Sequence, residues 1–304
     1  MPKATFTILG CGSALPTKRN FPSAFLLDLR EKQFLIDCGE GAQIRLRQMG
    51  MKTNRMGHIF ISHLHGDHCL GLLGLISSFS MLHRTADLHI HAHPDLEKIM
   101  EVPLHYFSAE TPFQLFFHPF NPQVNELIYE DRTVKVSSIP LKHKVPTCGF
   151  LFEEKPLERH LIREMIDFYN IPVSQLHKIK QGEDFITDEG EIVPNEKLTY
   201  ENVPPKRFAY CSDTAYDESI VPIIRGVDCL YHEATFLEED KVRANKTLHS
   251  TALQAAEIAR KAEVGKLIIG HYSARYTDQS VLLNEASSVF QPVIAGQDME
   301  SYEI

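Results

Sequence analysis

His58-Ile59-Phe60-Ile61-Ser62, followed without a break by His63-Leu64-His65-Gly66-Asp67-His68, is the stretch on which the fold turns. Its first five residues read as a short buried strand. The six that follow concentrate three imidazoles and a carboxylate on one turn, where the end of a strand can aim them into a cleft. Imidazole nitrogen and carboxylate oxygen are ligands that Zn²⁺ accepts at about 2.0 to 2.2 Å, and a set without thiolate suits an open catalytic centre rather than a cysteine-rich structural one. A single turn cannot complete two four- or five-coordinate ions, so residues distant in sequence must join it. Candidates stand where other apolar segments give way to loops: His143 after Ser138-Ile139-Pro140-Leu141-Lys142, Asp213 after Ala209-Tyr210-Cys211-Ser212, and His271 after Leu267-Ile268-Ile269-Gly270.

Outward from this turn the same alternation continues. Strand signals precede glycine-punctuated turns at Thr5 to Leu9, Ala24 to Leu29 and Phe34 to Asp37, and recur at Val134 to Ile139, Arg207 to Cys211, Cys229 to Tyr231 and Leu267 to Ile269. Helical spacing follows Gly41 and returns near Leu72 to His83 and at Ser250 to Ala262. The pattern is α/β, with one core expected. Residues 153–205 break it. Between Glu153 and Lys197 six basic residues face eleven acidic ones, and prolines bracket the stretch at Pro156 and Pro204-Pro205. A helix over Leu157 to Tyr169, a turn at Ile171-Pro172 and a hairpin at Asp188-Glu189-Gly190-Glu191 are predicted there. This segment reads either as a protruding recognition arm or as a polar excursion packed on the domain.

Composition narrows the function classes. The 304 residues carry 31 Lys+Arg against 40 Asp+Glu, a net charge of −9, which argues against a broad basic nucleic-acid coat and leaves room for a local basic groove. The longest apolar run, Cys69 to Phe79, is far shorter than the roughly 20 residues that span a bilayer, so no membrane partner is expected. With no secretory pattern in Met1 to Gly10, the expected compartment is the cytoplasm. The six cysteines form no CxxC pair and read as reduced core thiols. His89-Ile90-His91-Ala92-His93 places three imidazoles on one strand face, with no carboxylate or cysteine at ligand spacing. We read it as an exposed face, and His105, His118, His160 and His177 in the same bland way.

Taken together, His63-Leu64-His65-Gly66-Asp67-His68, His143, Ser212-Asp213-Thr214 and Gly270-His271 resemble the metallo-β-lactamase superfamily. Leu9 to Pro16, Asp37 to Gly41, His232-Glu233-Ala234-Thr235, His249-Ser250-Thr251 and Ser273-Ala274-Arg275-Tyr276 are similar, within it, to the ribonuclease Z family of tRNA 3′-processing endonucleases. The resemblance covers essentially the whole chain. It implies a four-layer αββα sandwich over residues 1–304, with an inserted protruding substrate-binding arm at 153–205. It implies two Zn²⁺ per chain, one held by His63, His65 and His143, the other by Asp67, His68 and His271, with Asp213 bridging. Asp67 would also accept a proton from the attacking water, while His249, oriented by Glu233, would protonate the leaving 3′-oxygen of a precursor tRNA. The products would be a tRNA 3′-hydroxyl and a trailer 5′-phosphate, and the enzyme a homodimer. Ser273 and Arg275 would contact the nucleotide beside the cut, Lys18, Arg19 and Asn20 the RNA terminus, and Lys178 and Lys180 a phosphate.

Two departures stand out. The family's terminal loop usually runs Pro-x-Lys-x-Arg-Asn, and here Lys18 and Arg19 are adjacent, one residue shorter; in the arm, Ser174-Gln175 follows Ile171-Pro172-Val173 where many members carry Gly-Pro. Without the resemblance, His249 reads as the residue ahead of a helix capped by Ser250 or Thr251. Other functions compatible with the residues are a general phosphodiesterase or arylsulfatase-like hydrolase of the same fold, and a non-catalytic RNA-binding relative.

Overall fold

The computed structural model describes residues 4–51, 53–107 and 111–304, so Met1 to Lys3, ahead of the strand expected at Thr5 to Leu9, lie outside it. The chain runs through β1 (Thr5–Gly10), β2 (Ala24–Leu29), β3 (Lys32–Cys38), α1 (Ala42–Gln48), β4 (Met56–Phe60), α2 (Gly66–Cys69), α3 (Gly71–Met81), β5 (Leu88–Ala92), α4 (Asp95–Phe107) and β6 (Leu115–Pro119). It continues with β7 (Leu127–Glu130), β8 (Val134–Leu141) and β9 (Thr147–Glu154), then β10 (His160–Leu161), α5 (Arg163–Phe168), α6 (Val173–Lys180), β11 (Phe185–Ile186), β12 (Ile192–Val193), α7 (Asn195–Leu198) and β13 (Thr199–Tyr200). The last part holds β14 (Arg207–Cys211), α8 (Val221–Ile224), β15 (Cys229–Glu233), α9 (Lys241–Thr247), α10 (Ala252–Lys261), β16 (Leu267–Gly270), α11 (Ser280–Ser287), β17 (Val293–Ala295) and β18 (Ser301–Glu303).

Two seven-stranded sheets result, ordered β18-β1-β2-β3-β4-β5-β6 and β17-β16-β15-β14-β9-β8-β7. Strands β3 to β6 are parallel in the first, and β14 to β17 in the second. Side-chain alternation sets the layers. Phe6 and Ile8, Phe25 and Leu27, Phe34 and Ile36, and Phe60 join Phe150, Phe152, Phe208, Tyr210 and Tyr231 of the other sheet. Their neighbours Leu9, Leu26, Leu35 and Ile59 point the opposite way, onto Leu46 of α1, Leu72, Leu75 and Phe79 of α3 and Leu96 of α4. Alanines 252, 255, 256 and 259 of α10 close the second sheet, and Thr251 starts that helix with a capping box to Gln254. The fold is therefore a four-layer αββα sandwich, as the resemblance implies. The single expected core is corrected to two apolar clusters, because both faces of the first sheet are apolar and each needs its own cover.

Glu154–Pro205 forms a second compact unit. Ile171, Ile179, Phe185, Val193 and Leu198 are its own small core. Asn195 pins it, its amide donating to the Ile179 and Glu183 carbonyls at 2.7 Å each. Asp188 to Glu191 turn between β11 and β12. The helix expected over Leu157 to Tyr169 is confined to Arg163–Phe168. Its predicted first half is instead drawn into strand pairing, His160 with Tyr200 and Leu161 with Thr199, reinforced by Arg159 Nε donating to Thr199 Oγ1 at 2.7 Å.

The His89 to His93 face also needs correction. His118 is exposed and His89 half-buried, but His91 is only 3% exposed. Its ring lies between Phe60 (centroids 4.5 Å) and His118 (4.7 Å), and its Nε2 is 3.1 Å from His58 Nδ1. Period two finds the face, and the second sheet then covers part of it. Burial, reinforced by the neighbouring imidazoles, lowers His58 to about 4 and His91 to about 2. These histidines fold as neutral rings, and the unfolded chain protonates near pH 6.5. Stability is thus held above that pH and lost as pH falls below it. His91→Phe, which keeps a ring against Phe60, is expected to move the acid unfolding midpoint to lower pH. Circular dichroism at equal metal load checks this, and an unchanged midpoint would count against it.

Candidate metal centre and active site

Parallel strands end at the same edge of a sheet, so the loops after them converge. β3 ends at Asp37 and Cys38, β4 runs into Ser62 to His68, β14 into Asp213, β15 into Glu233 and Thr235, and β16 into His271. Asp37, Asp213 and His271 each take a left-handed backbone conformation (φ 56°, 58° and 59°), which non-glycine residues rarely adopt and which turns the chain sharply at the strand end. Close packing holds the turns together: a Cβ at Gly39 would stand 2.4 Å from the Asp67 carbonyl oxygen.

His63, His65, His143 and Asp213 bring ligand atoms within 4.8 Å of one another, and so do Asp67, His68 and His271. Asp213 lies between the two groups. Its Oδ1 is 3.2 Å from both His68 Nε2 and His271 Nε2, and its Oδ2 is 3.8 Å from His63 Nε2 and His143 Nε2. Asp67 Oδ2 approaches His68 and His271 at 3.7 and 3.8 Å and accepts the Ala14 backbone N–H at 2.8 Å. His68 Nε2 and His271 Nε2 are buried without a hydrogen-bond partner, which in a polar cluster is the signature of lone pairs awaiting a cation. The donor set of imidazoles and two carboxylates fits divalent ions of the zinc type.

Outer contacts orient these rings. His63 Nδ1 is 3.0 Å from Ser62 Oγ, His68 Nδ1 2.7 Å from Asp37 Oδ2, His143 Nδ1 2.9 Å from the Leu248 carbonyl and His271 Nδ1 3.0 Å from Thr235 Oγ1. Each leaves Nε2 for the cluster. Burial lowers His63 well below its ordinary range. In His68 burial acts the same way, but the charges of Asp213 and Asp37 outweigh it and the pKa rises. Burial pushes Asp213 up, and the surrounding His271 and His68 overcome it, leaving the carboxylate ionised.

His249 and Glu233 form a second device in the same cleft. Glu233 is fully buried, its Oε1 2.8 Å from His249 Nδ1 and accepting the Thr214 N–H at 2.6 Å, while Oε2 accepts the Thr235 hydroxyl and the Ser250 N–H. Burial opposes charge on His249, yet the carboxylate's charge and hydrogen bond prevail and push its pKa up to about 9. His249 also lies within reach of Asp213 and His271, but its Nδ1 is committed to Glu233. A cavity of about 550 Å³ brings His65, Asp67, His143, Asp213, His249 and His271 together on its wall.

The remaining sequence candidates are placed unevenly. Lys18, Arg19, Asn20 and Ser273 line one cavity of about 170 Å³. Asn20 turns its amide to Asp298 Oδ1 at 3.3 Å, and the Arg19 guanidinium donates to the Thr277 carbonyl. Arg275 is ion-paired with Asp240 at 2.9 Å, so its fork is already engaged. Lys178 and Lys180 sit on α6 within the second unit. Sequence reasoning quoted Asp37 only as the start of the Asp37 to Gly41 stretch and gave it no role, and it did not single out Ser62 and Tyr210 beneath the ligands, or Lys144 on the cleft wall. An acid closing an apolar strand before a glycine turn was the available signal for Asp37.

Known proteins resemble this chain. A family model described as anti-Pycsar protein Apyc1 matches residues 4–160, and one described as a beta-lactamase superfamily domain matches 199–272. Ribonuclease Z of Bacteroides thetaiotaomicron is 55% identical over 300 residues, covering 98% of this chain and 95% of that one. Ribonuclease Z of Parabacteroides distasonis is 55% identical over 291 residues, 96% of each. Among solved structures, the short form of human tRNase Z superimposes with a TM-score of 0.71 at 22% identity over 99% of both chains, a likeness of fold.

Proposed function

The chain belongs to the ribonuclease Z family, and from that premise we propose that it is a zinc-dependent endoribonuclease that removes 3′ trailers from precursor tRNA. The observation that carries this reading is one cleft holding both the Asp213-centred ligand cluster and the His249–Glu233 pair. His63, His65, His143 and Asp213 would hold one zinc ion, and Asp67, His68, His271 and Asp213 the other. Such a pair supplies a lowered water pKa and positive charge against a phosphoryl oxygen. Asp67, fixed by the Ala14 N–H, takes a proton from the attacking water. Water oxygen bonds to phosphorus, the bond from phosphorus to the 3′-oxygen breaks, and His249 delivers its proton to that oxygen. A tRNA 3′-hydroxyl and a trailer 5′-phosphate result.

Lys18, Arg19, Asn20 and Ser273 line the cavity offered to the RNA terminus. Arg275 would join them on release from Asp240. The Glu154–Pro205 unit, with Lys178 and Lys180, would serve as the substrate-binding arm, in a cytoplasmic homodimer where one subunit's arm holds the tRNA that the other cuts.

Incubating the zinc-loaded chain with a precursor tRNA carrying a 3′ trailer, and mapping both ends, tests the reading. Cleavage beside the discriminator base with the stated ends is expected, and chelation should abolish it. An intact precursor beside rapid hydrolysis of bis(p-nitrophenyl) phosphate would assign the centre to a general phosphodiesterase instead.

A further inference from the structure

Beneath the two ligand groups lies a carboxylate that belongs to neither. Asp37 is fully buried, and its two oxygens accept four hydrogen bonds. Oδ1 takes the Ser62 backbone N–H at 2.7 Å. Oδ2 takes the Ser62 hydroxyl at 2.9 Å, the Tyr210 hydroxyl at 2.7 Å and His68 Nδ1–H at 2.7 Å. Because the single Ser62 proton points at Asp37, its Oγ is an acceptor, and His63 Nδ1–H faces it at 3.0 Å. A continuous relay results, from His63 through Ser62 to Asp37 and on to His68. His63 belongs to one ligand group and His68 to the other.

We propose that Asp37 is a positioning residue that couples the two halves of the metal centre, fixing the Nδ1–H tautomer of His68 directly and that of His63 through Ser62. The inference rests on the reading that the two groups hold cations. A ring protonated at Nδ1 offers its Nε2 lone pair, and both Nε2 atoms face Asp213 from below. One anion beneath and one between thus define the orientation of a ligand in each group. The left-handed backbone at Asp37 is part of the same device, since it turns the carboxylate under the β4 turn.

Substitution makes the coupling specific. In Asp37→Asn the amide oxygen can keep the Ser62 N–H, but the amide nitrogen then confronts three donors. His68 must present a bare Nδ1 and carry its proton on Nε2, and the Ser62 hydroxyl reverses so that His63 does the same. Both ligands are lost from the centre by a tautomer change, with little change in shape. Ser62→Ala removes the arm to His63 and leaves His68 its direct bond to Asp37 at 2.7 Å, losing there only the longer 3.5 Å approach of the hydroxyl. Tyr210→Phe removes a donor to Asp37 without touching either histidine.

The test is titration of the metal-stripped full chain with Co²⁺ alone, followed by calorimetry and the visible ligand-field bands. Long-range ¹⁵N spectra of the histidines, recorded before metal is added and at alkaline pH, where the rings are neutral, accompany it. The unsubstituted chain is expected to bind two ions. In Asp37→Asn both steps should weaken by about 10- to 100-fold, the loss typical of an outer contact to a metal ligand, and His63 and His68 should show the Nε2–H tautomer. Ser62→Ala should weaken one step, and Tyr210→Phe neither. Two unaltered steps in a folded Asp37→Asn chain, or weakening of one step only, would overturn the coupling. Should Asp37→Asn not fold, two unaltered steps in Ser62→Ala would do the same. No uptake by the unsubstituted chain would overturn the metal reading itself, whereas normal uptake with unresponsive variants overturns the coupling alone.

Discussion

Asp213→Ala is expected to strip the centre of at least one of its two ions and to lower the single-turnover cleavage rate by more than about a thousandfold, an effect of the size that removing essential machinery produces. The reason is position. Its two oxygens face different ligand groups, Oδ1 toward His68 and His271 at 3.2 Å, Oδ2 toward His63 and His143 at 3.8 Å. No other carboxylate among the described residues is placed between the two groups. Without it, His63 and His143 face no carboxylate and His68 and His271 keep only Asp67, and the ions that would offset the crowding of the imidazoles lose the one ligand they share. Asp67→Ala, by contrast, removes a ligand from one group and leaves the other intact, so it should keep more metal while losing the proton acceptor. Elemental analysis of both purified variants, read beside their cleavage rates, separates the two roles. Full metal content with an unchanged rate in Asp213→Ala would sink the assignment.

How much of this was readable beforehand depends on where the information sat along the chain. The turn from His63 to His68 is contiguous, so spacing alone exposes four ligands. His143, Asp213 and His271 have no local pattern, and only their common place after apolar strands draws attention to them. The role of Asp37 escaped because its partners are remote: Ser62 reaches it through the parallel pairing of β3 with β4, and Tyr210 comes from the other sheet. His91 shows a different limit. Alternation reveals which residues share a face but not what covers it, and here part of the face is covered by Tyr129 of β7 in the second sheet, which stands over His58 and His91. The helix expected over Leu157 to Tyr169 is shortened because strand pairing with Thr199–Tyr200 overrides local propensity. Arg275 looked free in sequence, and Asp240, thirty-five positions away, occupies it.

His249→Ala is expected to slow cleavage by about 10²- to 10⁴-fold, the range of general acid catalysis, while both ions stay bound. Metal content and rate should therefore part company, unlike in Asp213→Ala. The dyad predicts a pH effect as well. Glu233 holds the His249 pKa near 9 against the burial that would depress it. An acid must be protonated to act, so the rate falls as pH rises through that value. In Glu233→Gln the carboxylate's charge is gone, burial is opposed only by the charge of Asp213, and the basic limb should move down toward the ordinary histidine value of about 6.5. Bound cations would lower both limbs alike, which makes the displacement between the two profiles the quantity to read. Changing the leaving group isolates the proton itself. A precursor with a 3′-bridging sulfur at the scissile bond expels a thiolate, which needs no protonation. The His249→Ala defect should then largely vanish on this substrate and persist on the natural linkage. If the defect were equally large on both, His249 would be acting on substrate position or on the ligand cluster, and the role of proton donor would pass to another group in the cleft.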